Sequence, residues 1–249
     1  MNRRNFLNNL IKRKSILTEK SVEDAGYKLH PIRRGGSEIS KIFKFTQEHG
    51  AYICGGYALY AWNPTFKRDT DSMPGDVDIY SLQDTEFYDM KADFEDRFRG
   101  VFTSKSESKH SYTYTNCCSE WTGQYATDIK EVQLIKPVQT AIKHTTGPDV
   151  FDVLNHFDFY ICQAAIISES QVVVSKQGEI DIHSKRIGLT SMKNPYITLA
   201  RIAKYIAKGY KIDTDTMDEL FKAYVDREKR EKETGLTLIQ EFNISGVNS

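Results

Sequence analysis

Two glycines, Gly55-Gly56, close the apolar run 51–54, and Gly75-Asp76-Val77-Asp78-Ile79-Tyr80 follows after a polar, proline-bearing stretch. The second segment alternates carboxylate and apolar side chains, the period-two signature of a strand. Asp76 and Asp78 then leave one face, and Val77 and Ile79 leave the other. Two carboxylates on one face repel each other in a dry site unless a divalent cation neutralises them. The glycine pair lets the backbone approach another group with no side chain in the way. A helix beginning at 57 points its first N–H groups into that space, which suits a phosphate. The chain must therefore build a strand with a core on one side and a polar site on the other.

The surrounding pattern is α/β. Apolar spacing predicts helices over 6–18, 38–49, 57–62 and 84–99, with Ser37 as a cap and Phe87, Met90, Phe94 and Phe98 on one side of the last. Strands are predicted at 51–54, 77–81, 111–115, 131–135, 157–167 and 171–175, a loop at 63–75 and a helical turn at 151–156. Amphipathic helices follow over 195–208, ending at Gly209, and from Asp215 onward. The charged stretch 226–234 reads as a solvated helix face. Three parts are expected: 1–49 as N-terminal helices with a basic arm, 50–185 as a catalytic α/β core and 186–249 as a helical part.

At 249 residues the chain can bury a core without disulfides or a structural metal. Lysine plus arginine and aspartate plus glutamate are both 34, so a uniformly polybasic nucleic-acid binder is excluded and a local patch is not. Residues 1–20 hold six basic side chains against Glu19, whereas 71–96 hold nine acids against Lys91. Cys54, Cys117, Cys118 and Cys162 form no Cys-x-x-Cys pair, which suits reduced thiols, a cytoplasmic setting and no zinc site. The six histidines lack metal-ligand spacing. No run of 18 apolar residues exists, so no membrane partner is expected.

The two opening segments together resemble the signature of the DNA-polymerase-beta-like nucleotidyltransferase superfamily. The wording Gly55-Gly56-Tyr57-Ala58-Leu59 is similar to the nucleotidyltransferase toxins of abortive-infection systems. Two later segments resemble the head and neck of tRNA CCA-adding enzymes and bacterial poly(A) polymerases. His156-Phe157-Asp158-Phe159-Tyr160-Ile161-Cys162-Gln163-Ala164 is similar to their Arg-Arg-Asp-Phe-Thr-Ile-Asn-Ala motif, with Asp158 in the Asp place. Asn194-Pro195 through Asp213 resembles their neck helix, where Arg201 matches the first Arg, Lys204-Tyr205 match Arg-Phe and Gly209-Tyr210 match Gly-Phe. The chain departs in its longer loop before Asp76, in Leu59-Tyr60 where CCA enzymes carry Arg-Asp, and in His156-Phe157 for the paired arginines.

The resemblance implies a mixed sheet flanked by helices, with a C-terminal helical part. It implies transfer of a nucleotide from an NTP, ATP among them, to an RNA end, a protein or a small molecule. Asp76 and Asp78 would hold Mg²⁺, and Gly55 and Gly56 would cradle the triphosphate. Asp158 is the expected third carboxylate, with Glu131 its rival. Arg201 and Lys204 share a helix face and would hold the nucleotide. Lys67 and Arg68 would contact phosphates from the loop, and Tyr112 and Tyr114 either stack bases or pack in the sheet. The competing expectation is a nucleotidyltransferase fold kept as an inactive binding or structural module.

Overall fold

The computed structural model describes residues 17–33, 37–63, 76–116, 129–137, 149–191 and 194–234. The basic arm, the loop with Lys67 and Arg68, and Cys117 and Cys118 lie outside them, as does nearly all of the helix predicted over 6–18.

The elements in chain order are α1 (Glu19–Asp24), β1 (Tyr27–Pro31), α2 (Ser37–Glu48), β2 (Tyr52–Cys54), α3 (Gly56–Trp62), β3 (Asp76–Tyr80), α4 (Asp84–Arg97), β4 (Phe102–Glu107), β5 (Ser111–Asn116) and β6 (Glu131–Ile135). Then come α5 (Val150–Leu154), a 3₁₀ turn at Tyr160–Cys162, β7 (Ala164–Ile166), β8 (Gln171–Ser175), α6 (Lys176–Ser184), α7 (Pro195–Ala207) and α8 (Thr214–Thr234). Among the described residues the strands form one sheet of eight in the order β1-β8-β7-β2-β3-β6-β5-β4. Of these described pairings β3 with β6 alone is parallel, so the sheet is mixed, flanked by helices as expected.

The strand pattern explains the layering. Val77, Ile79, Val132 and Leu134 are fully buried and share a core with Phe45, Phe87, Met90 and Phe94 from α2 and α4. The Phe94 ring lies 4.7 Å from Phe98, 4.9 Å from Tyr114, 5.5 Å from Phe45 and 5.6 Å from Phe102. Truncating a ring so enclosed leaves a cavity and costs about 3–5 kcal/mol. On the opposite face a second cluster joins Cys54, Val150, Phe151, Leu154, Ala165 and Val173, with Tyr80 and Phe157 packed against it.

Three elements differ from the sequence reading. The run 157–167 is not one strand: Tyr160–Cys162 winds into a 3₁₀ turn and pairing resumes only at Ala164. The Tyr160 N–H donates to the Gly188 carbonyl at 3.1 Å, turning the chain out of the ladder. Strand β1 lies within the segment read as helical and pairs with β8 through Tyr27↔Ser175 to Pro31↔Gln171. Helix α6 carries Gly178 in its interior, which weakens the helical signal; a Cβ there would collide with the Tyr160 carbonyl.

Helix α7 begins and ends on residues that its sequence supplies. Asn194 accepts from the Ile197 N–H at 3.4 Å, and Pro195 occupies the first turn. Gly209, at φ 80°, turns the chain left-handed, and the Tyr210 N–H returns to the Tyr205 carbonyl at 3.1 Å.

Candidate active site

Strand β3 lies inside the sheet between β2 and β6, with Cys54 opposite Asp78 on one side and Glu131 opposite Asp76 on the other. Asp76 and Asp78 are half-buried, and Val77 between them is fully buried. Register partners in neighbouring strands share a face, so Cys54, Glu131 and Gln133 border the carboxylate pair. Gln133 Nε2 donates to Glu131 Oε1 at 2.7 Å, which fixes that carboxylate beside Asp76.

Gly55 follows β2 and precedes α3. Its φ of 74° and ψ of −135° are strained for any residue with a side chain. A Cβ at Gly55 would lie 3.8 Å from Asp78 Oδ2 and 3.4 Å from Phe157 Cε1. The glycine turn and the Asp-x-Asp strand therefore meet. The Gly55 N–H is held by the Ala164 carbonyl at 2.9 Å, which ties the turn to β7.

Two groups beside the pair, Cys54 and Tyr80, hold their protons. Burial pushes the Cys54 thiol up, and Asp78 adds to it. Burial likewise raises the Tyr80 phenol, with Asp78 and Cys54 pushing the same way and Arg201 opposing. Oxygen donors on one half-buried strand face, beside a backbone that permits close approach, fit a hard divalent cation such as Mg²⁺. Among the described residues no three His, Cys, Asp or Glu side chains converge as a metal-binding group.

Asp158 lies after α5 and meets Arg201 instead: Arg201 Nη1 donates to Asp158 Oδ2 at 2.8 Å. Burial lowers the Arg201 pKa, but Asp158 and Cys162 beside it outweigh this and leave it raised. One turn along α7, the Tyr205 hydroxyl and Cys162 Sγ are 2.9 Å apart, and the Tyr205 ring lies 5.5 Å from Phe159. Helix α7 therefore grips 158–162 through residues one turn apart. Lys204 is exposed on the same helix.

Tyr112 and Tyr114 are packed into the sheet core. Tyr114 donates to Glu95 Oε1 at 2.9 Å, and Lys91, Lys105 and Lys136 each sit 4.8–4.9 Å from the Tyr112 ring centre. Of the histidines, His49 Nε2 meets Asp93 Oδ2 at 2.7 Å and His156 Nδ1 meets the Asp152 carbonyl at 2.6 Å. Sequence reasoning missed Phe157 and Tyr80 as walls of the site. Tyr80 follows the Asp-x-Asp alternation and was legible from it; nothing local signals Phe157.

No protein-family model and no characterised protein sequence matches the chain. Solved structures do. The Thermotoga maritima CCA-adding enzyme complexed with tRNA superposes with a TM-score of 0.51 at 15% identity, over 78% of this chain and 45% of that one. A CCA-adding enzyme in complex with ATP gives 0.50 at 17% identity, over 80% and 44%. The chain thus spans under half the length of these enzymes. Its mixed sheet and flanking helices are the nucleotidyltransferase-like fold found in the heads of CCA-adding enzymes.

Proposed function

We propose that the chain is a nucleotidyltransferase that moves a nucleotide from an NTP to an acceptor hydroxyl. The observation that carries this reading is that the Gly55 turn lies next to Asp78 on a half-buried Asp76/Asp78 face. The ATP and tRNA bound to enzymes of the same fold support an NTP and an RNA acceptor, with a protein or small-molecule hydroxyl as the other acceptor classes.

In the reaction the acceptor oxygen bonds to the α-phosphorus, the bond to the β-phosphate breaks and pyrophosphate leaves. Asp76 and Asp78 would hold Mg²⁺, which when bound neutralises phosphate charge and acidifies the attacking hydroxyl. Gly55 and Gly56 give the triphosphate a wall without side chains. Glu131, in register with Asp76 and at first the rival of Asp158, would take the acceptor proton. Asp158 is the rival for that role; its bond to Arg201 makes it the more constrained of the two. Arg201 and Lys204 supply positive charge from α7 to the nucleotide. We assign 50–185 as the catalytic part and 186–249 as the helical part. The unpaired Cys54 and Cys162 suit a reducing compartment such as the cytoplasm. Among the described residues no helix is long and apolar enough to cross a membrane.

Incubation with labelled NTPs, Mg²⁺ and cell extract tests the reading. The wild type should transfer label, and Asp76→Ala/Asp78→Ala should lose it. Equal labelling by both overturns it. The Asp158–Arg201 bond favours a second reading, a binding module in which that ion pair is structural. NTP binding without turnover by the wild type selects it.

A further inference from the structure

Phe157 touches both halves of the site. On one side its ring edge faces Gly55, with Cε1 at 3.4 Å and Cζ at 3.8 Å from where a Cβ would stand. On the other its ring centre lies 5.5 Å from that of Tyr80, tilted by 44°. Tyr80 belongs to β3 and shares its face with Asp76 and Asp78. The ring is half-buried and packs against the cluster beneath that face. Its backbone is anchored on both sides: the Phe157 N–H donates to the Leu154 carbonyl at 3.1 Å, and the Thr190 hydroxyl donates to the Phe157 carbonyl. The Thr190 N–H donates to the Asp158 carbonyl at 2.9 Å, and Asp158 is bonded to Arg201.

A rigid ring between a glycine turn and a strand fixes their spacing, because close-packed groups transmit displacement instead of absorbing it. Gly55 has no side chain of its own to set that distance. We propose that Phe157 is a positioning residue, a wedge that holds the Gly55–Gly56 turn at a set distance from Asp78. It thereby couples the phosphate side of the site to the carboxylate side. The phosphate assignment rests on the nucleotidyltransferase reading, whereas the mechanical coupling does not.

Hydrogen exchange on the full chain separates the two. In Phe157→Ala, amides of 54–58 and 77–80 should exchange about tenfold faster while 171–175 keeps its wild-type protection, as expected for a local loosening. Phe157→Leu, which refills most of the volume, should recover much of that protection. Unchanged exchange at 54–58 and 77–80, or a uniform rise across the sheet, overturns the proposal. MgATP added to the wild type is the second arm. Selective loosening in Phe157→Ala, with no ATP-dependent protection in the wild type, sustains the wedge and counts against the nucleotidyltransferase reading. ATP protection with unchanged exchange in the variant does the reverse.

Discussion

Arg201 and Asp158 form an ion pair, 2.8 Å between Nη1 and Oδ2, that joins helix α7 to the turn after α5. The sequence reading expected both at the site from separate segments, and the fold brings them to each other. The carboxylate side chain is 14% exposed and the guanidinium 55%, so Asp158 is the more dependent partner.

Arg201→Ala should take one charge partner from Asp158 and destabilise the chain by about 1 kcal/mol, a modest effect because the guanidinium is more than half exposed. Asp158→Asn should cost a similar amount, and the double variant less than the sum. A urea double-mutant cycle measures the coupling. A coupling near zero would show that the pair contributes nothing to docking α7.

Glu131→Gln should lower label transfer by roughly 10²-fold, the usual loss when a general base is removed. It should leave the thermal midpoint near the wild type, because Gln133 can still bond a neutral amide. Asp158→Asn should lower transfer less. The reverse order, read from initial rates at saturating NTP, would move the base to Asp158.

Gly55→Ala should destabilise by about 1–3 kcal/mol through its backbone conformation. Gly56 is not among the positive-φ glycines. Gly56→Ala should therefore fold with near wild-type stability and bind NTP more weakly. Thermal melting and NTP titration separate the two effects.

Acid should weaken the α4–β5 contact. Burial alone would raise the Glu95 carboxyl, yet bonds from Lys105, Lys91 and Tyr114 bring it from its ordinary 4.5 down to about 2. A depressed carboxylate contributes stability that is fully present above its unfolded pKa and is lost as pH falls through the folded one. The window is therefore pH 4.5 to 2. Glu95→Gln should be less stable than wild type at pH 7 and should lose less on going to pH 3, as read from urea midpoints.

The fold class was legible in the sequence, and so was the strand that carries Asp76 and Asp78. Asp76 and Asp78 alternate with buried valine and isoleucine, a pattern that one strand satisfies in one way. The stretch 157–167 misled because Phe159, Ile161 and Ala164 are buried as strand residues would be, while the chain between them turns. Tyr160 gives its N–H to the distant Gly188 carbonyl, a partner that spacing within the run does not reveal. Strand β1 was hidden by its position: an edge strand carrying Lys28, His30 and Pro31 has little of the apolar alternation that marks an inner one. The Asp158–Arg201 pair was visible as two separate motif matches. Their bond depends on how α7 docks, which spacing along the chain does not encode.

Among the described residues, strand β1 pairs with 171–175 and with no strand made before them. During synthesis, 27–31 leave the ribosome long before their partner exists. Such long-range pairing is slow to form. The edge must wait in solution, and Lys28 and Pro31 are the residues that keep a waiting strand from pairing with another chain. Closure of the sheet at β1 is thus a late event of biogenesis, and the nascent chain carries its own protection against aggregation until then.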